Sequence, residues 1–259
     1  MQEAPPATPA APAWTDTELA DVHARTDKHE RVRAMFGSIA GRYDLNNRVH
    51  SMWRDQAWRR HAVRAAGVQP GERVLDVACG TGDLTLAFAA RSPAAEVVGV
   101  DFTPEMLELA RPKAARANAG DRVRFAHGDA MALDFEDQSF DVLSIAFGIR
   151  NVQDPAKALA EFLRVLRPGG RLVILEFDTP TNPAAAWFNR VYCQRIMPVT
   201  ATLLAGDRSG AYKYLPKSVS AFANSRDLAA AVGDVGFADV TTKRLTMGVC
   251  ACTRAVRPA

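Results

Sequence analysis

The chain has 259 residues, 48% of them hydrophobic and 24% charged, with a formal net charge of +3. That is ordinary globular composition, long enough for one domain with a full core, and the charge is too small for the phosphate track of a nucleic-acid binder. Only a weak attraction to anionic membrane surfaces stays open.

Residues 1–27 begin MQEAPPATPAAPA, with no basic stretch leading into an apolar one, so this is not a secretory signal. Pro/Ala composition of this kind builds no core, and the segment reads as a disordered tail. Residues 28–259 read as a single domain. Within it, 28–67 forms an amino-terminal helical cap carrying Trp53 and Trp58 among many arginines. Of these, Arg54, Arg59, Arg60 and Arg64 are candidates for lipid headgroups, although a solvated helix face is the ordinary reading.

From Arg73 onward strand and helix patterns alternate. RVLDVACG is a short apolar run ending in glycine, and DLTLAFAAR follows as a helix with Leu84 and Phe88 on one stripe. AEVVGVD is the second strand. TPEMLELARPKAARAN is the second helix, with Thr103 as N-cap, Pro104 at its first position and Pro112 set to kink or shorten it. VRFAHGDA and FDVLSIAFG are strands three and four. The helix starting at Asp154-Pro155 aligns Leu159, Phe162, Leu163 and Leu166, and Pro168-Gly169-Gly170 ends it before the strand RLVILEF.

Residues 180–216 interrupt the alternation. They carry Trp187, Phe188, Val191, Tyr192, Ile196 and Met197 in an apolar stripe broken by Pro198, which reads either as a lid over an apolar substrate or as core packing. ADVTTKRLTMG and VCACTRAV then form an antiparallel pair at the sheet edge. The fold class is therefore α/β, doubly wound around a mostly parallel sheet. Cys250 and Cys252 fall on one face of the last strand as small core residues. With Cys79 and Cys193 they make no CxxC and no zinc-spaced cluster, so no metal is expected and a reduced, cytoplasmic protein fits. The sequence leaves a homodimer open without requiring one.

In such a sheet, ligands bind beyond the carboxyl ends of the strands. Three carboxylates end three successive strands here: Asp76, Asp101 and Asp129. Gly80 and Gly82 let backbone approach a ligand. Asp101 stands where an acidic residue grips a ribose diol, with Phe102 beside it, and Asp129 stands where an adenine amine would lie, followed by Ala130. A dinucleotide reader would need G-x-G-x-x-G for its pyrophosphate, yet Thr85 fills the third glycine position and Asp83 faces the phosphates. Acidic Asp76 and Asp83 suit an adenosyl ligand with a cationic tail, which describes S-adenosylmethionine.

YDLNNRVHSMWRDQAW (43–58), FGIRNVQD (147–154) and RVLRPGGRLVILEFD (164–178) together resemble the quinone-biosynthesis C-methyltransferases, a branch of the class I S-adenosylmethionine-dependent enzymes. The resemblance runs from about Val32 to Val256. It implies a seven-stranded sheet and an enzyme acting beside the membrane. It also implies cofactor contacts at Thr81, Asp101 and the Asp129–Ala130 pair, with Ala146 where the family usually has Ser. Asp55 replaces a family His, Ala78 a glycine of the class I loop, and Asp178 a Ser.

The implied substrate is a polyprenylated quinol, methylated on a ring carbon in menaquinone biosynthesis; the benzoquinol of ubiquinone biosynthesis is the alternative. A ring carbon becomes a better nucleophile when its phenol ionises, and phenols titrate near a pKa of ~10. Arg150 is expected to stabilise that phenolate, with Asn151 orienting the ring oxygen or a water and Tyr43 as a second pocket residue. The competing reading pairs Arg150 with Asp154 or Glu176 as a brace, and His127 reads as a structural histidine. Competing functions are a nucleic-acid methyltransferase, which lacks its N/D-P-P-Y segment here, a nicotinamide oxidoreductase and a non-catalytic cofactor-binding scaffold.

Overall fold

The computed structural model describes residues 14, 25–197, 200 and 211–259. Two helices come first, α1 (Lys28–His50) and α2 (Arg54–Ala66). The alternating part follows as β1 (Arg73–Val77), α3 (Asp83–Arg91), β2 (Glu96–Asp101), α4 (Pro104–Arg116), β3 (Val123–His127), β4 (Phe140–Ala146), α5 (Pro155–Val165) and β5 (Leu166–Phe177). Next come α6 (Pro183–Val191), a π-helical turn (Tyr192–Ile196), α7 (Ala211–Ala221), α8 (Ser225–Asp234), β6 (Ala238–Leu245) and β7 (Cys250–Val256).

One seven-stranded sheet runs in the order β3-β2-β1-β4-β5-β7-β6. β1 to β5 are parallel, and β7 is antiparallel to both β5 and β6. The strand order reverses beside β1, which places the crevice beyond the carboxyl ends of β1, β2 and β4.

Alternation along the strands divides the core. Leu75, Val77, Leu143 and Ile145 face α5 and α8, where Leu159, Phe162, Leu228 and Val232 meet them. Val74, Val97, Val142, Leu175, Cys250 and Cys252 face the opposite way, toward Trp58 and Ala62 of α2 and Leu84 and Phe88 of α3. The two cysteines are small core residues on one face.

Two boundaries and one additional helix differ from the sequence expectation. α4 continues to Arg116 through Pro112, past its buried Met106, Leu107 and Ala110, because the missing proline N–H removes a single bond. Pro168 and the glycines do not end α5. Its last residue is Val165, and Leu166 already pairs with Phe140 before a register shift resumes the ladder at Arg171. α8 is an element absent from the sequence expectation; Asn224 caps it through bonds from the Arg226 and Asp227 amides.

Most of the 1–27 tail lies outside the described residues. At Trp14 the disordered reading fails, since the indole is buried with its ring centroid 5.0 Å from that of Tyr214. One large aromatic can bury enough surface to dock a chain whose other residues cannot. Pro198 also lies outside the described residues. The stripe before it turns mostly to solvent: Trp187, Phe188 and Ile196 are exposed, and only Met197 is buried. It neither joins the sheet core nor lines the crevice described next.

Candidate active site

A cleft opens at the carboxyl ends of β1, β2 and β4. Its walls include Gly80, Asp101, Phe102, Thr103, Met106, Asp129, Ala130, Ala146, Phe147 and Asn151. α1 closes it from above. His29, Phe36 and Tyr43, spaced by seven residues and so on one stripe of the helix, all face the cleft.

Asp101 anchors the floor. Its carboxylate accepts from the Gly80 amide at 2.7 Å and the Thr103 amide at 2.8 Å, which fixes it at the end of β2. Burial raises its pKa against those bonds. A carboxylate has about four lone-pair sites, so acceptor capacity for a diol remains. Asp129 also lines the cleft and accepts from the Met131 amide at 2.9 Å. Phe102, Met106, Ala130 and Ala146 make the remaining wall apolar, a slot suited to a flat base.

The structure corrects the roles read for the rest of the loop. Asp76 lies under the cleft, not in it. Its two oxygens accept from the Thr85 and Ser144 hydroxyls, each at 2.7 Å, and burial raises its carboxyl to about 6. Thr81 and Gly82 do not line the cleft either. The Thr81 hydroxyl donates to Asp44 of α1 at 2.6 Å. Gly82, at φ +82°, starts α3, where a Cβ would meet Phe125 at 2.8 Å. Asp83 is not a free anion for a cationic tail, because Lys113 pairs with it at 2.5 Å and Arg48 at 3.4 Å. The carboxylates that face the cleft are Asp101 and Asp129.

Arg150 is also displaced from its expected place. It is 4% exposed and donates through Nη1 to Glu176 at 2.7 Å and to the Phe147 carbonyl at 2.7 Å. The guanidinium lies over the Phe177 ring, and the residue does not line the cleft. Of the two partners considered for a brace, Glu176 is the one found. The pair is buried, so the low worth of surface pairs does not apply to it.

Asn151 does line the cleft. Its Nδ2 donates to the same Phe147 carbonyl at 3.2 Å, and its Oδ1 accepts from the Tyr214 hydroxyl at 2.9 Å. Burial raises the Tyr43 hydroxyl above its usual range and pushes Tyr214 to about 12, so both remain protonated donors. His127 is exposed and sits 3.2 Å from the Phe102 carbonyl, a structural contact. Arg59, offered for headgroups, is buried against Asp55 at 3.1 Å.

In sequence, 28–67 reads as a helical cap with Tyr43 at the pocket, without the contacts that hold α1 there. Asp44 joins the Thr81 hydroxyl to Lys113 at 2.8 Å, and Lys113 bridges on to Asp83. The seven-residue spacing of His29, Phe36 and Tyr43 was the available signal. Glu176 and Tyr214 were not read as site residues, and no local pattern marks them.

Residues 24–257 match the ubiE/COQ5 methyltransferase family. The demethylmenaquinone methyltransferase of Thermus thermophilus is 50% identical over 86% of this chain and 100% of that protein. The ubiquinone/menaquinone biosynthesis C-methyltransferase UbiE of Geobacter sp. is 45% identical over 88% of this chain and 97% of its own length. Among solved structures, an S-adenosylmethionine-dependent methyltransferase from Thermotoga maritima superposes with a TM-score of 0.62. It is 19% identical, covering 87% of this chain and 99% of that one, a likeness of fold.

Proposed function

The chain belongs to the ubiE/COQ5 methyltransferase family, and from that premise we propose that it is an S-adenosylmethionine-dependent C-methyltransferase acting on the quinol ring of demethylmenaquinol. The observation that carries the reading is the cleft-facing Asp101, fixed by the Gly80 and Thr103 amides at the strand-order reversal. Asp101 would take the ribose hydroxyls, Asp129 and the Ala130 wall the adenine, and Gly80 lets backbone approach. S-adenosylmethionine, when bound, supplies an electrophilic methyl group. Because names in both quinone pathways occur among relatives of similar identity, the benzoquinol of ubiquinone biosynthesis is the second substrate to test.

The remaining residues would act on the ring oxygen. Lowering a phenol from a pKa of ~10 to near neutrality takes about three units, or roughly 4 kcal/mol. The Tyr43 hydroxyl and the Asn151 amide are uncharged donors at the cleft wall, in a site that α1 covers. Tyr214 orients Asn151. Arg150 acts through the Phe147 carbonyl that it shares with Asn151, so it is a positioning residue. Glu176 holds it there.

Two measurements test this. Asp101→Ala should remove S-adenosylmethionine binding in a calorimetric titration, and unchanged affinity would refute the ribose assignment. Tyr43→Phe and Asn151→Ala should each keep that affinity and lose about tenfold or more in kcat with a short-chain demethylmenaquinol, followed by mass spectrometry of the methylated ring.

A further inference from the structure

Of the nine large apolar side chains exposed among the described residues, six fall into two groups; Leu45, Leu109 and Met247 are the others. Val49, Met52 and Trp53 stand at the end of α1 and the link to α2, and Trp187, Phe188 and Ile196 on α6 and its π-helical turn. The two groups are joined: the Tyr192 hydroxyl donates to the His50 carbonyl at 3.0 Å and lies 3.2 Å from His50 Nδ1.

Met52 and Trp53 carry the sharpest observation. They are consecutive residues at φ +51° and +58°, a left-handed conformation that bulky L side chains seldom adopt. Yet they stand 68% and 60% exposed, as exposed as Trp187 at 60% and Phe188 at 59%. Backbone strain is maintained here to hold two apolar side chains out in water, and strain of this kind collects at functional positions.

The stretches that carry them are basic, and the carboxylates flanking the first, Asp44 and Asp55, are taken up by Lys113 and Arg59. The stretch 45–54 contains Arg48 and Arg54, and 183–200 contains Arg190 and Arg195, with no Asp or Glu in either. Arg54, Arg190 and Arg195 are exposed. Tryptophan and phenylalanine set among arginines match the boundary between acyl chains and anionic headgroups. A second copy of the chain fits less well, because a two-fold contact would set arginines against arginines. The patch starts two helical turns beyond Tyr43, a residue of the cleft wall.

We propose that this face rests on an anionic phospholipid bilayer. Met52, Trp53, Trp187 and Phe188 enter the acyl boundary, and Arg54, Arg190 and Arg195 meet the headgroups. Its use, delivery of a membrane-dissolved quinol to the cleft, rests on the function proposed above; the surface itself does not.

The test is flotation of the full chain with vesicles of phosphatidylglycerol and phosphatidylethanolamine, against vesicles of phosphatidylcholine alone. The native chain should float with the anionic vesicles, its tryptophan emission moving to the blue. Binding should weaken in about 1 M salt, where the screening length falls to about 3 Å. Met52→Gly with Trp53→Gly removes the side chains and relieves the left-handed strain, so the fold should hold, as a thermal unfolding midpoint no lower than native would record. Vesicle affinity should fall about tenfold or more in that variant, and likewise in Trp187→Ser with Phe188→Ser. Failure of the native chain to float, or equal binding by both variants, overturns the proposal. So does a native dimer in sedimentation that the variants break while no vesicle is bound. No quinol enters the assay. Flotation without any methylation of a short-chain quinol would therefore strike the functional reading alone, and methylation without flotation would strike the surface alone.

Discussion

Asp76 shows how much a buried carboxyl can cost. Its pKa rises from 3.8 to about 6 because burial outweighs the two hydroxyls that serve it. A raised folded pKa means that its favourable contribution is complete below pH 3.8 and is lost as pH climbs through about 6. The shift of about two units corresponds to roughly 3 kcal/mol. Asp76→Asn can still pair with Thr85 and Ser144. Its stability should lie above that of the native chain at pH 7, with a flatter profile between pH 4 and 6 in denaturant titrations; coincident profiles would contradict this. Its affinity for S-adenosylmethionine should stay within about threefold of native, unlike that of Asp101→Ala. The Arg150–Glu176 pair behaves in the opposite sense. Removing either partner leaves a buried charge, at about 3–5 kcal/mol, so Arg150→Leu and Glu176→Leu should each destabilise strongly and the double variant by much less than their sum. Ala78 holds φ +51° against Gly148, where a Cβ would come within 2.7 Å of its own.

At the scale of elements, the strands and helices of the sheet were legible because each repeats a period over many residues. α6 is legible as a helix with its surroundings left open: an apolar stripe does not tell what its face meets. α8 escaped because its signal is short, an Asn224 cap with Leu228 and Val232 one turn apart. The cap was legible as helix, but the bonding that closes α1 was not. It depends on Asp44 meeting Thr81 and Lys113, residues 37 and 69 positions away. Each of these partly exposed contacts is worth about 1 kcal/mol or less, but they share the Asp44 carboxylate, and Lys113 holds Asp83 as well. Lys113→Ala should therefore loosen α1 without unfolding the sheet. Hydrogen exchange across residues 43–50 should quicken, and cofactor release should accelerate by up to about tenfold in stopped flow; unaltered exchange there would show that the apolar contacts of α1 suffice.

For the whole molecule, a cleft lies at the strand ends where the sequence reading looks for one, and two of the three carboxylates line it. Asp101 ends β2 and Asp129 follows β3, both at the cleft, whereas Asp76 lies inside β1, and its partner Ser144 belongs to a neighbouring strand. Arg150 was assigned to the cleft from its chain position, while Glu176, 26 residues on, draws it behind Phe147. Pairings across strands are settled by register, which one sequence does not reveal. Register also makes β7 a keystone. It is synthesised after β6 yet inserts between β6 and β5, pairing Arg171 to Phe177 on one side and Ala238 to Leu245 on the other. On the ribosome, the outer edge of β5 must wait bare for more than seventy residues until Cys250–Val256 emerges. A waiting strand edge is a template for aggregation, so the nascent protein should lean on chaperones during that interval more than an enzyme whose sheet closes in order of synthesis.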